Sequence, residues 1–140
     1  MLNESELINF IRQNVQMGID GIKIVIDDVK SKEFYEELKS ELREYNEIFN
    51  DAEELADRAG YEKVDINAAV KIASHLSGRL RTINGGDSKI AESMIQGSTM
   101  GVTKLIMHIN EFNGDQDVLK IAERLLKFLE GNIENLKKFL

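Results

Sequence analysis

The sequence of 140 residues contains no proline, no cysteine and no tryptophan. Because proline is a usual residue of turns and linkers, its absence argues against a loop-rich chain. The lack of cysteine excludes disulfide bonds, thiolate metal ligands and a cysteine nucleophile. It also fits a reducing compartment, and we expect the cytoplasm. The length suits a single domain, residues 1–140, that is large enough to bury a sizeable core.

Charge and hydropathy exclude further classes of function. Eighteen Lys and Arg residues against 25 Asp and Glu residues give a net charge of −7, which argues against binding to nucleic acid or to an anionic membrane. The sequence has no run of 18 apolar residues, so no membrane-spanning segment is predicted. The first ten residues, MLNESELINF, lack the basic and apolar regions of a signal peptide.

Apolar residues recur at steps of three and four along most of the chain, the spacing of helices that bury one face. Asn3 followed by Glu6 predicts a capping box, Gly60 is a typical C-terminal stop, and Asp115 is a predicted N-cap. No segment alternates apolar and polar residues as a strand would. The sequence therefore predicts five helices, over about residues 4–29, 32–60, 66–83, 88–114 and 116–140.

The lengths of the predicted helices indicate how they connect. Four of them would span roughly 35–45 Å at 1.5 Å per residue, and the third would span only about 27 Å. Two hairpins joined by a shorter helical crossover give an all-α, ferritin-like four-helix bundle with one long connection. We favour this arrangement over the alternative, a plain five-helix up-and-down bundle.

Three stretches carry a resemblance to a known family. They are QNVQMGIDGIKIVIDDV (Gln13–Val29), ELREYNEIFNDAEELADRAG (Glu41–Gly60) and ESMIQGSTMGVTKLI (Glu92–Ile106). The sequence resembles a family of small bacterial proteins of the ferritin-like superfamily that have no assigned activity, and as a pattern of helices the resemblance covers nearly the whole chain. It implies a ferritin-like bundle in the cytoplasm and supplies no chemistry.

The di-iron site of ferritin-like proteins needs a Glu-x-x-His motif on each of two helices. Three positions before His75 and His108 the sequence has Ile72 and Leu105, so this motif is absent. An atypical carboxylate site for iron or another divalent metal is the alternative, with Glu41, Glu92 and His108 as its main candidates. The largest set we consider is Asp20, Glu41, Glu92, Glu123 and His108. We expect instead a core without metal and without any other cofactor.

Glu41 stands where the apolar stripe of the second predicted helix calls for an aliphatic residue. A buried carboxyl is costly unless it is paired or hydrogen-bonded. It could be a remnant metal ligand or proton-handling group, it could bond a polar group across the bundle, or it could reach solvent because the stripe centres on Leu42. The polar groups considered are Ser98, Thr99, His108 or a Tyr hydroxyl. The stripe comprises Phe34, Leu38, Glu41, Tyr45, Ile48, Ala52, Leu55 and Ala59.

Small residues cluster near mid-height of two predicted helices, in the segment Gln96–Gly101 and at Gly18 and Gly21. If these faces meet, the two backbones can approach closely. Small residues can instead leave a pocket for a small apolar or amphipathic ligand. The candidate ligand-binding residues are Met17, Gly18, Gly21, Glu41, Tyr45, Met94, Gly97, Ser98, Met100 and Gly101.

Charge is concentrated in one part of the sequence. Residues 31–60 hold ten acidic and four basic residues, a net charge of −6, so the second predicted helix carries an acidic ridge. Lys71, His75 and Arg79 line one face of the third predicted helix at steps of four. These faces could pair with each other, dock a protein partner or divalent cations, or remain solvated, and solvation is the commonest outcome for charged faces.

The sequence contains no phosphate-binding loop, dinucleotide-binding fingerprint or nucleophile elbow, and we identify no catalytic residue. We therefore expect a non-enzymatic cytoplasmic bundle that self-associates, most simply as a homodimer, or that binds a protein partner or ligand. A ferritin-like metal-binding or oxidative-stress protein is the alternative. Packaging in a larger assembly is a third hypothesis. Nucleic acid and membrane are not expected partners.

Overall fold

The computed structural model describes residues 1–66 and 86–140, and this part of the chain folds into helices with no strand. The four long helices are α1 (Glu4–Val25), α2 (Lys32–Ala59), α3 (Gly86–Glu111) and α4 (Gln116–Leu136). Short 3-10 turns follow α1 at Ile26–Asp28 and α4 at Lys137–Phe139. The helix predicted over residues 66–83, with its basic face, lies outside the described residues except for Ile66.

Three residues that cap or end helices were identified correctly from the sequence, whereas α3 begins at Gly86, before the predicted cap at Asp87 or Ser88, and ends at Glu111, before Gly114. Asn3 Oδ1 accepts a hydrogen bond from Glu6 N at 2.8 Å, and Glu6 Oε1 accepts one from Asn3 N at 3.3 Å, which confirms the capping box. Gly60 ends α2 in the left-handed region with φ 76°, where a side chain is disfavoured. Asp115 caps α4 by accepting from Asp117 N. The α-helical part of α1 ends before Val29, because the chain tightens into a 3-10 turn.

Contacts at the two ends of the bundle define the helix directions. Asp87, at the start of α3, accepts hydrogen bonds from Lys30 N and Ser31 N at 2.9 Å each, beside the connection between α1 and α2. At the opposite end, Leu2 N donates to Glu111 O at 2.9 Å. Helices α1 and α4 therefore run in one direction, and α2 and α3 run in the other.

Inward-facing side chains of the four helices form one apolar core. The predicted stripe of α2 is buried over its whole length except for Ala59, which is exposed, so that part of the prediction was wrong. Helix α3 differs from the others because only Ala91 and Leu105 are buried along its 26 residues. The all-α, four-helix packing is confirmed, and none of the helices in the described ranges is long and apolar enough to cross a membrane.

The segment after α2 is attached to α1 by a polar network around Arg12. Arg12 is 6% exposed, and its guanidinium contacts the Glu53 carboxylate and donates to Asn9 Oδ1 at 2.7 Å and Val64 O at 2.8 Å. Asn9 in turn donates to Glu62 O at 2.7 Å. Each of these buried polar groups therefore has a partner, as buried polar groups usually do.

Candidate functional site

Three polar side chains lie in the core where α2 packs against α4. Glu41 and Tyr45 of α2 and Asn132 of α4 are only 3–5% exposed. The Tyr45 ring also lies against the backbone of α1, since a Cβ atom built on Gly18 would come within 2.6 Å of the ring carbon Cε1. Tyr45 also contacts the Phe128 ring of α4 edge-on, with 4.8 Å between the two ring centroids. We call Glu41, Tyr45 and Asn132 the buried polar layer.

The Glu41 carboxyl is held in its protonated form. Burial raises its pKa to about 10, and hydrogen bonding and charge from Glu37, one turn earlier on the same helix, act in the same direction. Its Oε2 atom has no hydrogen-bond partner within the described part of the chain. The interpretation in which Glu41 reaches solvent is therefore wrong: the stripe of α2 centres on Glu41 and not on Leu42, which is only half-buried.

Two of the polar partners predicted for Glu41 across the bundle, Thr99 and His108, bond elsewhere. Thr99 donates its hydroxyl to Ile95 O at 2.8 Å, and His108 Nδ1 lies 2.7 Å from Lys104 O. The pKa of Glu41 is raised most by burial, and the only side chain that raises it further among the described residues is Glu37 of the same helix. The sequence contained a signal for this pair, because residues four apart on a helix are neighbours.

Tyr45 and Asn132 complete a layer that is neutral at pH 7. Burial raises the pKa of the Tyr45 hydroxyl most. Glu41, which is charged only at the alkaline pH where a tyrosine titrates, raises this pKa further, and the Asn132 amide lowers it to a smaller extent. Asn132 Nδ2 makes no hydrogen bond within the described residues. The layer thus combines a protonated acid, a phenol and an amide, none of which is an activated base or nucleophile at neutral pH.

The metal-ligand candidates lie in different environments. Glu41 is in the core, whereas the Glu92 side chain is 45% exposed and pairs with Lys89 at 3.0 Å. His108 stacks on Phe10 with 3.7 Å between ring centroids. In the larger set, Asp20 accepts from Gln16 at 2.9 Å and Glu123 is exposed. Within residues 1–66 and 86–140, no three His, Asp or Glu side chains are grouped closely enough to hold a metal ion.

The ligand-binding candidates are not brought together around one cavity. Gly18 faces Tyr45 of α2, whereas Gly101 of α3 faces Asn14 and Leu129, at 3.3 and 3.6 Å from a built Cβ. A close approach is therefore present at Gly18 and at Gly101, with different partners, whereas a Cβ built on Gly21 or Gly97 has no heavy atom of the described residues within 4 Å. Of the remaining candidates, Met17, Gly21, Met94 and Ser98 are half-buried, and Gly97 and Met100 are exposed.

The acidic ridge of α2 is partly neutralised within the chain. Arg124 of α4 pairs with Glu44 at 2.9 Å, Glu47 at 3.5 Å and Asp51 at 2.5 Å. A shallow groove continues beyond this cluster, lined by Asp51, Glu54, Leu55, Arg58, Asp117 and Ile121. The ridge therefore contributes to packing between α2 and α4 as well as to the acidic surface.

The sequence analysis did not predict that the outer face of α3 exposes apolar side chains. Met100 is 60% exposed and Met107 is 58% exposed, two of the most exposed large apolar side chains in the described residues. Both lie in or near residues 93–103, the longest stretch of the sequence without a charged residue. Because 31% of the residues in the chain are charged, a stretch of this length without charge is unusual. It was the sequence signal that could have identified this surface.

Comparison of the chain with protein-family models, with curated proteins and with solved structures finds no match.

Proposed function

We propose that this protein is a non-enzymatic helical module that self-associates as a homodimer through the outer face of α3. The observation that carries the proposal is the exposure of Met100 and Met107 on a helix surface with few charges. Large apolar side chains grouped on a surface mark interaction sites in soluble proteins, and methionine is favoured at such sites because its flexible side chain adapts to a partner.

The charge of the chain favours a second copy as the partner on this face. Each copy carries a net charge of −7, so two copies repel each other unless they meet where acidic residues are sparse. Residues 93–110 of α3 contain Lys104 as their only charged residue. This face therefore allows two acidic copies to come into contact without placing carboxylates opposite one another, which an interface must avoid.

The buried polar layer supports a non-enzymatic role. Glu41 is 3% exposed and its carboxyl holds its proton at neutral pH, so it offers substrate neither a base nor an accessible acid. The layer contributes to the specificity of packing between α2 and α4, a role that buried polar groups have in some helical proteins.

The finer description of the fold is also a proposal: a ferritin-like bundle with one long crossover. Its support is the direction of the helices, since α2 and α3 run the same way and the chain must pass from one end of the bundle to the other between them. The alternative function as a ferritin-like metal protein is tested by metal analysis of protein purified without chelator. One transition-metal ion per chain would favour that alternative.

The test of self-association is the mass of the protein in solution over a concentration series, by light scattering or sedimentation. We expect a mass of twice the 15.9 kDa of the chain, and the mass of one chain for the double variant Met100→Lys/Met107→Lys. The dimer should also strengthen as salt is raised, because salt screens the repulsion between the two acidic copies. A wild-type protein that stays monomeric at high concentration would overturn the proposal.

The matched control is Tyr35→Lys/Val64→Lys, which adds the same charge at two exposed apolar residues outside α3, 37% and 51% exposed. This control should remain dimeric. If the double α3 variant loses helix content, Met100→Gln/Met107→Gln replaces it. A monomeric wild type that is strongly destabilised by both α3 variants would show that the chain's own residues cover this face.

A further inference from the structure

On the outer face of α3, the spacing between successive outward-facing residues is symmetric about the middle of the helix. Its most outward positions follow one another at steps of four, three, four, three and four residues, and most of these residues are exposed. Such steps keep a helix position on one face. The six positions are Lys89, Ser93, Gln96, Met100, Thr103 and Met107. The midpoint of this set lies at the level of Ser98.

We propose that two copies pair their α3 helices antiparallel, about a two-fold axis at the level of Ser98, an inference that rests on the proposed self-association through this face. A two-fold interface presents the same surface from both copies, so residue i meets residue j and j meets i. About Ser98, Lys89 meets the partner's Met107, Ser93 meets the partner's Thr103, and Gln96 meets the partner's Met100.

Charge favours the antiparallel orientation over the parallel one. In a parallel pair each residue lies at the level of the same residue in the partner. Lys89 would then meet the partner's Lys89, and Lys104 would lie near the partner's Lys104. In the antiparallel pair the six outward positions contain no like-charged contact. The partner's Met107 packs on the methylene stem of Lys89 while the ammonium group, which pairs with Glu92, stays at the water-exposed edge, a usual arrangement for lysine beside apolar surface. Antiparallel helix dipoles also attract each other.

Charge also selects the register of the antiparallel pair. A shift that placed Met100 opposite the partner's Met107 would bury more apolar surface. It would move the axis to the level of residues 103 and 104, and the two Lys104 side chains would then lie side by side. With the axis at Ser98, the two Lys104 residues are 12 positions apart, or about 18 Å along the helix at 1.5 Å per residue.

The test uses single cysteines, because the chain has none of its own. Lys89→Cys and Met107→Cys proteins, one of them carrying a size tag, are mixed, oxidised and separated without reductant. We expect a mixed product in which a disulfide joins position 89 of one copy to position 107 of the other. Met107→Cys alone should give little product, because in the antiparallel pair its two copies are 18 positions, or about 27 Å, apart along the axis. Tyr35→Cys, on another face of the molecule, is the control and should not cross-link.

The outcomes separate the geometry from the function. Strong cross-linking of Met107→Cys alone, with no mixed product, would overturn the antiparallel pairing and leave the dimer. A dimer in which no α3 cysteine cross-links would place self-association elsewhere, and a monomeric wild type would overturn the proposed function itself. If Met107→Cys weakens association, a spin label on Lys89→Cys, at the edge of the face, replaces it: an interspin distance of roughly 30 Å supports the pairing, and one under about 15 Å contradicts it.

Discussion

Two residues of charged type are buried in the described part of this bundle, and their surroundings differ. Arg12, where α1 meets the segment after α2, has a carboxylate, an amide oxygen and a backbone carbonyl as partners. Glu41, where α2 meets α4, has a neighbouring carboxyl from its own helix and a second oxygen with no partner in the described residues. Arg12 is therefore satisfied as a charge, whereas Glu41 is tolerated only as a neutral acid.

This difference shows that burial of an ionisable residue has no fixed effect on stability. A charge in a low-dielectric core is stable when its hydrogen bonds are complete, and it is costly when they are not. We therefore expect loss of Arg12 to destabilise the fold strongly, whereas Glu41 should make the stability depend on pH.

Loss of Arg12 should give the largest effect. Arg12→Leu removes the charge, and Glu53, Asn9 and the Val64 carbonyl each lose one hydrogen bond, while Glu53 keeps its pair with Lys63 and Asn9 Oδ1 keeps Val64 N. Because hydrogen bonds to a charged group are lost, we expect the free energy of unfolding to fall by about 3 kcal/mol. Urea denaturation followed by circular dichroism measures this loss. Arg43→Leu, at an exposed position of α2, is the control. A loss below about 1 kcal/mol would mean that Arg12 and its partners are well hydrated.

Stability should depend on pH through Glu41. The folded state keeps the Glu41 proton up to a pKa of about 10, whereas the unfolded state releases it near the ordinary pKa of 4.5. Between these values the folded state binds more protons, so stability is greatest at the acid end of this range and falls as pH rises, by up to about 1.4 kcal/mol per pH unit.

Denaturation at pH 6 and pH 8 tests this dependence. From pH 6 to pH 8 we expect a loss of about 2 kcal/mol in the wild type that is largely absent in Glu41→Gln, which removes the titration but keeps the shape. Glu36→Gln, at an exposed position of the same helix, should retain the wild-type slope. Equal slopes in Glu41→Gln and wild type would show that Glu41 is ionised in the fold.

Alanine substitutions at two glycines of α1 test whether the buried polar layer is tightly packed at Tyr45. Gly18→Ala would place a methyl group against the Tyr45 ring, 2.6 Å from Cε1 and 2.7 Å from the hydroxyl oxygen, and we expect a net loss of about 1–3 kcal/mol from overpacking. Gly21→Ala has no heavy atom of the described residues within 4 Å of the new Cβ, so the better helix propensity of alanine should add up to about 1 kcal/mol. Thermal denaturation of both variants makes the comparison, and a stabilised Gly18→Ala would mean that Tyr45 moves easily.

The smallest effect is expected at the surface charge cluster. Arg124 pairs with three carboxylates, but its side chain is 37% exposed, and exposed ion pairs contribute little because water and salt screen them. We expect Arg124→Ala to cost about 1 kcal/mol or less, and less again at high salt. Denaturation at low and high salt measures both values. A loss comparable to that of Arg12→Leu would contradict the distinction between buried and exposed charges.

Local structure was predictable from the sequence where a short motif determines it. The capping box at Asn3, the stop at Gly60 and the cap at Asp115 each depend on residues within one turn. The apolar period likewise located the buried stripe of α2. These features need no knowledge of which helices are neighbours.

The candidate site was predictable only in part, because it depends on packing between helices. The period placed Glu41 on the buried stripe, but it could not show that Glu37 helps to raise the pKa of Glu41 or that Oε2 lacks a partner in the described residues. Nor could it show that Gly18 and Gly101 face different partners, since that depends on the rotation of each helix about its axis. The charge-free stretch of α3 was a signal for its surface, but the exposure of Met100 and Met107 depends on how α3 is rotated against the other helices.

The contact between the Tyr45 ring and Gly18 also has a mechanical consequence. Helices can slide past one another by one turn, about 5.4 Å, provided that the residues brought into contact leave enough room. A slide of α1 along α2 by one turn would bring Ile22 or Asn14 to the position of Gly18, and either side chain would collide with the ring. The contact of Tyr45 with Gly18 therefore fixes the axial register of α1 and α2 and opposes sliding of one helix along the other.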